Sequence, residues 1–438
     1  PKPSSPQALK SYNPPVSVST SSRPRILTRP EHPISRQHIE SNALKVLYRL
    51  HNARFKGYLV GGAVRDLMLE RRPKDFDVST DARPQQIRRL FRNSRIIGRR
   101  FRLAHVFFHD GIVEVSTFRR NPDPEAQDGA PGDRLITDDN VFGTPEEDAF
   151  RRDFTVNALF YNIGDYSVID YVGGIEDLEH RLIRAIGDPE LRFKEDPVRM
   201  LRACEIAGRL GFDIEEKTAA AAHSCRREIE RASPARMAEE ISQLMRSGSA
   251  TPALRHAQDL GFLGVFLPEA SPLLTNDGSE PTDFAEVLPA IDRLVLDNRE
   301  PTDAALMAAL LLPSVFLRRR DMEQDRGRPM GREALRKLVG KIVDPFLLRF
   351  RISKAKSDQT HQAIAAFHRL GENWRTAGDR VRFAGHPGFD DAMILLEILV
   401  DATGEGGEDL ELWQRVREHR PKRREPPTRR TRPRRRRR

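Results

Sequence analysis

Apolar and polar positions change period along this chain, and the change divides it. From near Ser35, Ala43, Leu44, Val46, Leu47 and Leu50 recur at helical spacing. Tyr58-Leu59-Val60 then reads as a short buried strand running into two glycines, with a helix start over Val64 to Glu70. Asp75 to Ser79 reads as a strand and Pro84 to Arg92 as a helix. Ala104 to Phe108 and Ile112 to Phe118 read as a strand pair turned at Asp110-Gly111. Asn121 to Asp139, rich in Pro, Gly and Asp, reads as a mobile loop. Phe154 to Phe160 reads as a renewed helix, and Ser167 to Tyr171 as a last strand ending at Gly173-Gly174.

Beyond residue 176 the helical period takes over. Asp196 to Leu210 reads as one helix closed by Gly211. Ser233-Pro234 places a cap and a first-turn proline before a helix running through Met245. Thr302 to Leu312, Arg332 to Ile342, Lys354 to Leu370 and Ala392 to Leu399 continue the pattern. The expected class is α+β: an α/β head followed by an all-helical part. The expected boundaries are a disordered segment over 1–33, a head over 34–175, a helical neck over 176–265, a helical body over 266–418 and a disordered basic tail over 419–438.

Composition narrows the class. The 438 residues exceed one ordinary core. No apolar run reaches the roughly 20 residues that span a bilayer, and the first residues do not read as a secretory signal. Cys204 and Cys225 have no paired spacing, so neither a disulfide framework nor a zinc knuckle is expected, and a reducing cytoplasm fits. The net charge is +10, but residues 420–438 hold twelve Lys/Arg against one Glu, so the chain before them is close to neutral. A second basic island lies between Ala82 and His109: Arg83, Arg88, Arg89, Arg92, Arg95, Arg99, Arg100 and Arg102, with no acid. Such segments attract phosphate backbones without reading sequence. Arg99, Arg100, Arg102, Arg434 and Arg435 are therefore candidate nucleic-acid contacts. A solvated helix face and a solubilising tail are the plainer alternatives.

Three stretches carry candidate chemistry. Asp75 and Asp77, two apart on the expected strand, project from one face and suit a hard divalent cation completed by substrate phosphates. Glu114, between Val113 and Val115, can join them; the alternative is an exposed edge-strand acid. Gly61-Gly62 lets backbone N–H groups approach phosphates, and Arg65 can add a charge-assisted contact, with Asp66 orienting it. The G-x-x-x-x-G-K-[ST] loop is absent. Asp196 and Arg199, three apart on the expected helix, can accept from an exocyclic amine and donate to the adjacent ring nitrogen, an edge that adenine and cytosine share. An intrahelical ion pair is the alternative.

Together GGAVRD, DFDV, VEVSTFR, RRDFTVNAL, DYVGG and EDPVRMLRA resemble, over about Tyr58 to Gly211, the class II nucleotidyltransferase family of bacterial poly(A) polymerases and tRNA CCA-adding enzymes. The resemblance implies a nucleotidyltransferase head with a helical neck and body. It implies Asp75 and Asp77 as metal ligands and Glu114 as a third carboxylate. Gly61, Gly62 and Arg65 would hold the triphosphate, and Arg152, Asp153 and Asn157 the ribose and phosphates. Asp196 and Arg199, with Arg202 nearby, would read the base. Implied too are Mg²⁺, or Mn²⁺ in its place, ATP as substrate, RNA 3′ ends and RNA-decay machinery as partners, no membrane, and the cytoplasm. Ile96 to Val106 resembles the stretch that marks the polymerase branch, so AMP transfer from ATP to RNA 3′ ends with pyrophosphate release is the expected activity. CCA addition to tRNA is the alternative, and an RNA-binding protein with a degenerate site a third. Glu205 departs from the family, which commonly has arginine there; pairing with Arg209 is the local expectation.

Overall fold

The computed structural model describes residues 23–98, 102–120, 141–274, 284–372, 374 and 376–419. Residues 1–22, Arg99, Arg100, the expected loop over 121–139, and the tail with Arg434 and Arg435 lie outside the described residues. Those described fall into two compact units, one running to Arg120 and from Val141 to Glu176, the other beginning at Asp177.

The first unit is one mixed sheet with short helices. In chain order it runs β1 (Arg25–Leu27), α1 (Ser41–Asn52), β2 (Gly57–Val60), α2 (Gly62–Met68), β3 (Asp77–Thr80), α3 (Pro84–Leu90), β4 (Ser94–Ile97), β5 (Leu103–Phe107), β6 (Ile112–Thr117), α4 (Pro145–Phe150), β7 (Leu159–Asn162) and β8 (Val168–Asp170), with α5 (Gly174–His180) at its end. The eight strands lie in the order β1-β8-β7-β2-β3-β6-β5-β4. β2 is buried along its whole length, and the apolar stripe of α1 (Ala43, Val46, Leu47, Leu50) is buried with it. β3 and β6 run parallel, with Val78 opposite Val115; the other pairs in this sheet are antiparallel.

Three expectations are corrected. Residues 25–27 of the segment expected to be disordered form β1, paired to β8. Phe154 to Phe160 is not a helix. A single 3-10 turn (Thr155–Asn157) leads into β7, which lies between β2 and β8, so Phe160 and Tyr161 are buried in a central strand. Asp75 precedes β3 rather than lying on it.

DYVGG has a structural role. The buried Asp170 carboxylate accepts from the backbone N–H groups of Val172, Gly173 and Ile175 and so fixes the start of α5. A Cβ at Gly174 would collide with the Thr155 carbonyl, so glycine there lets α5 lie against the turn that carries Asn157.

The second unit is helical apart from a two-strand ladder, β9 (Leu182–Ile183) with β10 (Asp213–Ile214). Around that ladder are α6 (Pro189–Glu195), α7 (Val198–Leu210), α8 (Glu216–Ser224), α9 (Pro234–Met245), α10 (Ala250–Asp259) and α11 (Leu263–Phe266). Then follow α12 (Val287–Leu296), α13 (Asp303–Arg326), α14 (Arg332–Arg349), α15 (Lys354–Leu370), α16 (Ala377–Phe383), α17 (Phe389–Thr403) and α18 (Gly407–Glu418). One apolar core extends from Phe193 to Ile398, and a smaller aromatic one gathers Phe383, Phe389 and Trp413. No described helix is long and apolar enough to cross a membrane.

Candidate active site

The strand–turn–helix of β2, Gly61 and α2 creates the first element of the site. Gly61 has φ 71° and ψ −140°, a conformation side chains resist, and a Cβ there would stand 3.3 Å from an Arg152 guanidinium nitrogen. The glycine therefore provides both the bend and the room for Arg152. Arg65 lies inside the fold rather than at the surface, with only 2% of its area exposed. Its Nε donates to Asp66 Oδ1 (2.8 Å) and its Nη1 to Asn157 Oδ1 (2.5 Å). Asp66 thus orients Arg65, and Arg65 orients Asn157.

The RRDFTVN stretch closes this web. Asp153 Oδ1 accepts from the Phe154 N–H (2.8 Å) and from Asn157 Nδ2 (3.2 Å). Arg152 donates to Asp148 Oδ2 (3.0 Å), to Ser79 Oγ (3.4 Å) and to the Asn157 carbonyl (3.3 Å), and lies over the Phe160 ring. Buried charges are tolerable only when paired and hydrogen-bonded; Arg65 with Asp66 and Arg152 with Asp148 are such pairs, and Asp153 is held through hydrogen bonds to its Oδ1. The structure therefore brings Gly61, Gly62, Arg65, Arg152, Asp153 and Asn157 together. Asp148 was not foreseen, although its place four residues before Arg152 on α4 is the spacing of a helical ion pair.

The carboxylates form the second element. The parallel register Val78↔Val115, taken one residue back, puts Asp77 beside Glu114. Val113 and Val115 are buried on the opposite face, and Glu114 projects away from them. β6 lies between β3 and β5, so Glu114 is not an edge-strand acid. Its Oε1 is 3.0 Å from His105 Nε2 on the facing strand, a partner the hairpin register dictates and that was not foreseen.

Asp77 is accessible at its surface yet recessed among protein atoms. That recess pushes its carboxyl up to about 6; Glu114 and Asp75 add like-charge repulsion and Arg152 opposes it. Accessibility decides what can follow, since a cation arriving from solvent reaches this group. Among the described residues no group of three or more Asp, Glu, His or Cys side chains is placed to hold a metal ion by itself. Open carboxylates grouped in this way are the partial donor set a hard divalent ion takes when phosphates and water complete its shell, so these residues fit such an ion.

The base-reading candidates belong to the second unit. Asp196 and Arg199 do not share a helical face. α7 begins only at Val198, and Asp196, placed before Pro197, is extended at the end of α6. Both Asp196 oxygens are taken by Arg236 of α9, at 2.7 and 2.9 Å. Arg199, largely buried, donates to the Arg192 carbonyl (3.1 Å) and lies 3.5 Å from Glu195. The intrahelical Asp196–Arg199 pair is therefore absent. Arg202 lies 4.0 Å from Glu240, and Glu205 pairs with Arg209 at 3.1 Å, as its spacing suggested. Arg102 is exposed just before β5.

Comparison with known proteins gives the family. Residues 57–184 match the Poly A polymerase head domain, and residues 211–274 match the probable RNA and SrmB-binding site of polymerase A. Poly(A) polymerase I of Salmonella typhimurium is 38% identical over 380 residues, 85% of this chain and 81% of that protein. The CCA-adding enzyme of Lactobacillus helveticus is also 38% identical, but over 202 residues, 46% of this chain and 49% of its own. In fold, the CCA-adding enzyme of Bacillus stearothermophilus, solved with CTP, superposes with a TM-score of 0.59 at 23% identity, over 86% of this chain and 82% of its own. The chain belongs to the poly(A) polymerase family of class II nucleotidyltransferases.

Proposed function

We propose that this enzyme is a template-independent poly(A) polymerase that transfers AMP from ATP to RNA 3′ ends and releases pyrophosphate. The observation that carries the reading is the register pairing of Asp77 with Glu114 on an accessible face, with Asp75 close enough to repel Asp77. Asp75 and Asp77 would hold Mg²⁺, with Mn²⁺ as the substitute, and Glu114 stands as the third carboxylate. Bound there, the ion supplies charge neutralisation for the pyrophosphate and a lower pKa for the attacking hydroxyl.

The remaining roles belong to this chain's own groups. The Gly61-Gly62 backbone and Arg152 would receive the triphosphate. Asp153 and Asn157 would receive the ribose, held in place by Arg65, whose burial makes it a positioning residue. Asp196 would accept from the base's exocyclic amine while Arg236 fixes its plane, and Arg199 would donate to the ring nitrogen, with Arg202 beside them. Exposed Arg102, together with Arg99, Arg100, Arg434 and Arg435, would attract RNA. RNA-decay machinery as a partner belongs to the same proposal.

Primer extension with purified protein, Mg²⁺ and single nucleoside triphosphates tests the reading. Long tails from ATP on oligo(A) are the expected result. Addition of CTP and then ATP to a tRNA lacking its CCA end, stopping at three residues, would instead establish the CCA-adding reading, which the equal identity of the shorter CCA-adding match supports.

A further inference from the structure

The open face of the head sheet continues beyond the carboxylates. β4, β5 and β6 pair through Arg95↔His105 and His105↔Glu114, and β3 adds Asp77 beside Glu114. Strand alternation therefore puts Asp77, Glu114, His105 and Arg95 on one face, in one row across four strands. The next row holds the cross-strand partners Ile112 and Phe107, exposed by 52% and 41%. The His105 ring meets Phe107 edge-on at 6.3 Å. Two large apolar side chains, one of them aromatic, are thus left accessible beside charged groups. At the far end Arg95 is exposed and makes no ion pair among the described residues. Exposed Arg89 and Arg92 lie close by in sequence, with no acid between Ala82 and His109.

We infer that this face, from Glu114 across Phe107 to Arg95, is the platform for the single-stranded RNA acceptor just upstream of its 3′ end. One base stacks on Phe107 and one phosphate meets Arg95. An aromatic ring in a basic groove binds any base, because every base has a π-face; that suits an acceptor not selected by sequence. The inference rests on the polymerase reading above. Distance gives it a length scale. β4 is three strands from β3, about 14 Å at the usual strand spacing. A stacked strand rises about 3.4 Å per nucleotide, so Arg95 meets the acceptor roughly four nucleotides from the reacting end.

The test uses the full chain with Phe107→Ala, Arg95→Ala and the double variant, none of which touches the carboxylates. KM is measured for ATP, for an oligo(A) of twelve nucleotides and for a trinucleotide. The double variant is expected to raise the long-primer KM about tenfold, within the range of one lost base stack, and to leave the KM for ATP and the melting temperature unchanged. Arg95→Ala should spare the trinucleotide and flatten the salt dependence of long-primer binding. An unchanged long-primer KM, or an equal Arg95→Ala loss on the trinucleotide, overturns the inference. Should the parent chain extend no primer at all, the polymerase reading fails instead. The platform is then judged by anisotropy of labelled oligo(A), where equal affinity of parent and double variant overturns it.

Discussion

The head and the helical unit hold their candidate substrate-binding groups in different ways. In the head, Arg65, Asp66, Asp153 and Asn157 are buried and bonded to one another, while Asp75, Asp77 and Glu114 stay accessible. In the helical unit, Asp196 sits at a break between two helices and is held by one half-exposed arginine, Arg236. The head has a hydrogen-bonded frame beside open carboxylates; in the helical unit the orientation of Asp196 depends on a single fork. Damage to the head should therefore abolish chemistry or folding, and damage to the helical unit should change affinity and choice of base.

The largest expected effect is at the carboxylates. Asp77→Ala should lower turnover by about 10³-fold or more with an unchanged far-UV circular dichroism spectrum; substantial residual extension would remove Asp77 from the metal site. Arg65→Met comes next. It removes the buried guanidinium bonded to both Asp66 and Asn157, which should cost about 1–3 kcal/mol in denaturant unfolding, and a loss below about 1 kcal/mol would show that the web does not support the head. Arg236→Ala should raise the KM for ATP about tenfold, the scale of hydrogen bonds to a charged group, and narrow the preference for ATP over GTP with kcat less affected. If kcat alone falls, Asp196 does not read the base.

Acidification should have a comparable or smaller effect. The Asp77 carboxyl is raised from 3.8 to about 6, so a proton competes with the cation below neutrality. The concentration of Mg²⁺ giving half-maximal rate should rise about tenfold between pH 7 and pH 5. For the metal-free chain the sign is fixed: the folded state holds the extra proton between about pH 4 and 6, so this group's contribution to stability falls as pH rises through that window. A flat Mg²⁺ requirement would assign the raised affinity to another group. The smallest effect belongs to Glu205→Ala. An i, i+4 pair is worth about 0.3–0.5 kcal/mol, so urea unfolding should shift by no more than that and extension should change less than twofold.

Much of this contrast could be read in the chain. The β5–β6 hairpin and its turn follow from alternation, and that register alone fixes His105 opposite Glu114. β1 and β4 were missed because edge strands are short and, in β4, interrupted by arginine, as edges that resist aggregation often are. β7 was missed because a strand covered on both faces shows no period-two alternation and so resembles a helix segment. The Asp196–Arg199 pairing failed for a local reason that the sequence did contain: a residue before proline avoids the helical conformation.

The sequence alone singled out the candidate catalytic groups and the glycine turn beside them, because those depend on residue type and spacing within a turn or a strand. Only the tertiary structure decided their partners. Arg65 meets Asn157 ninety-two positions away, Asp196 meets Arg236 forty away, and Asp77 meets Glu114 through a parallel register. Such contacts are set by sheet order and helix packing, which sum many weak apolar contacts along the chain and leave no mark at the two residues that finally touch.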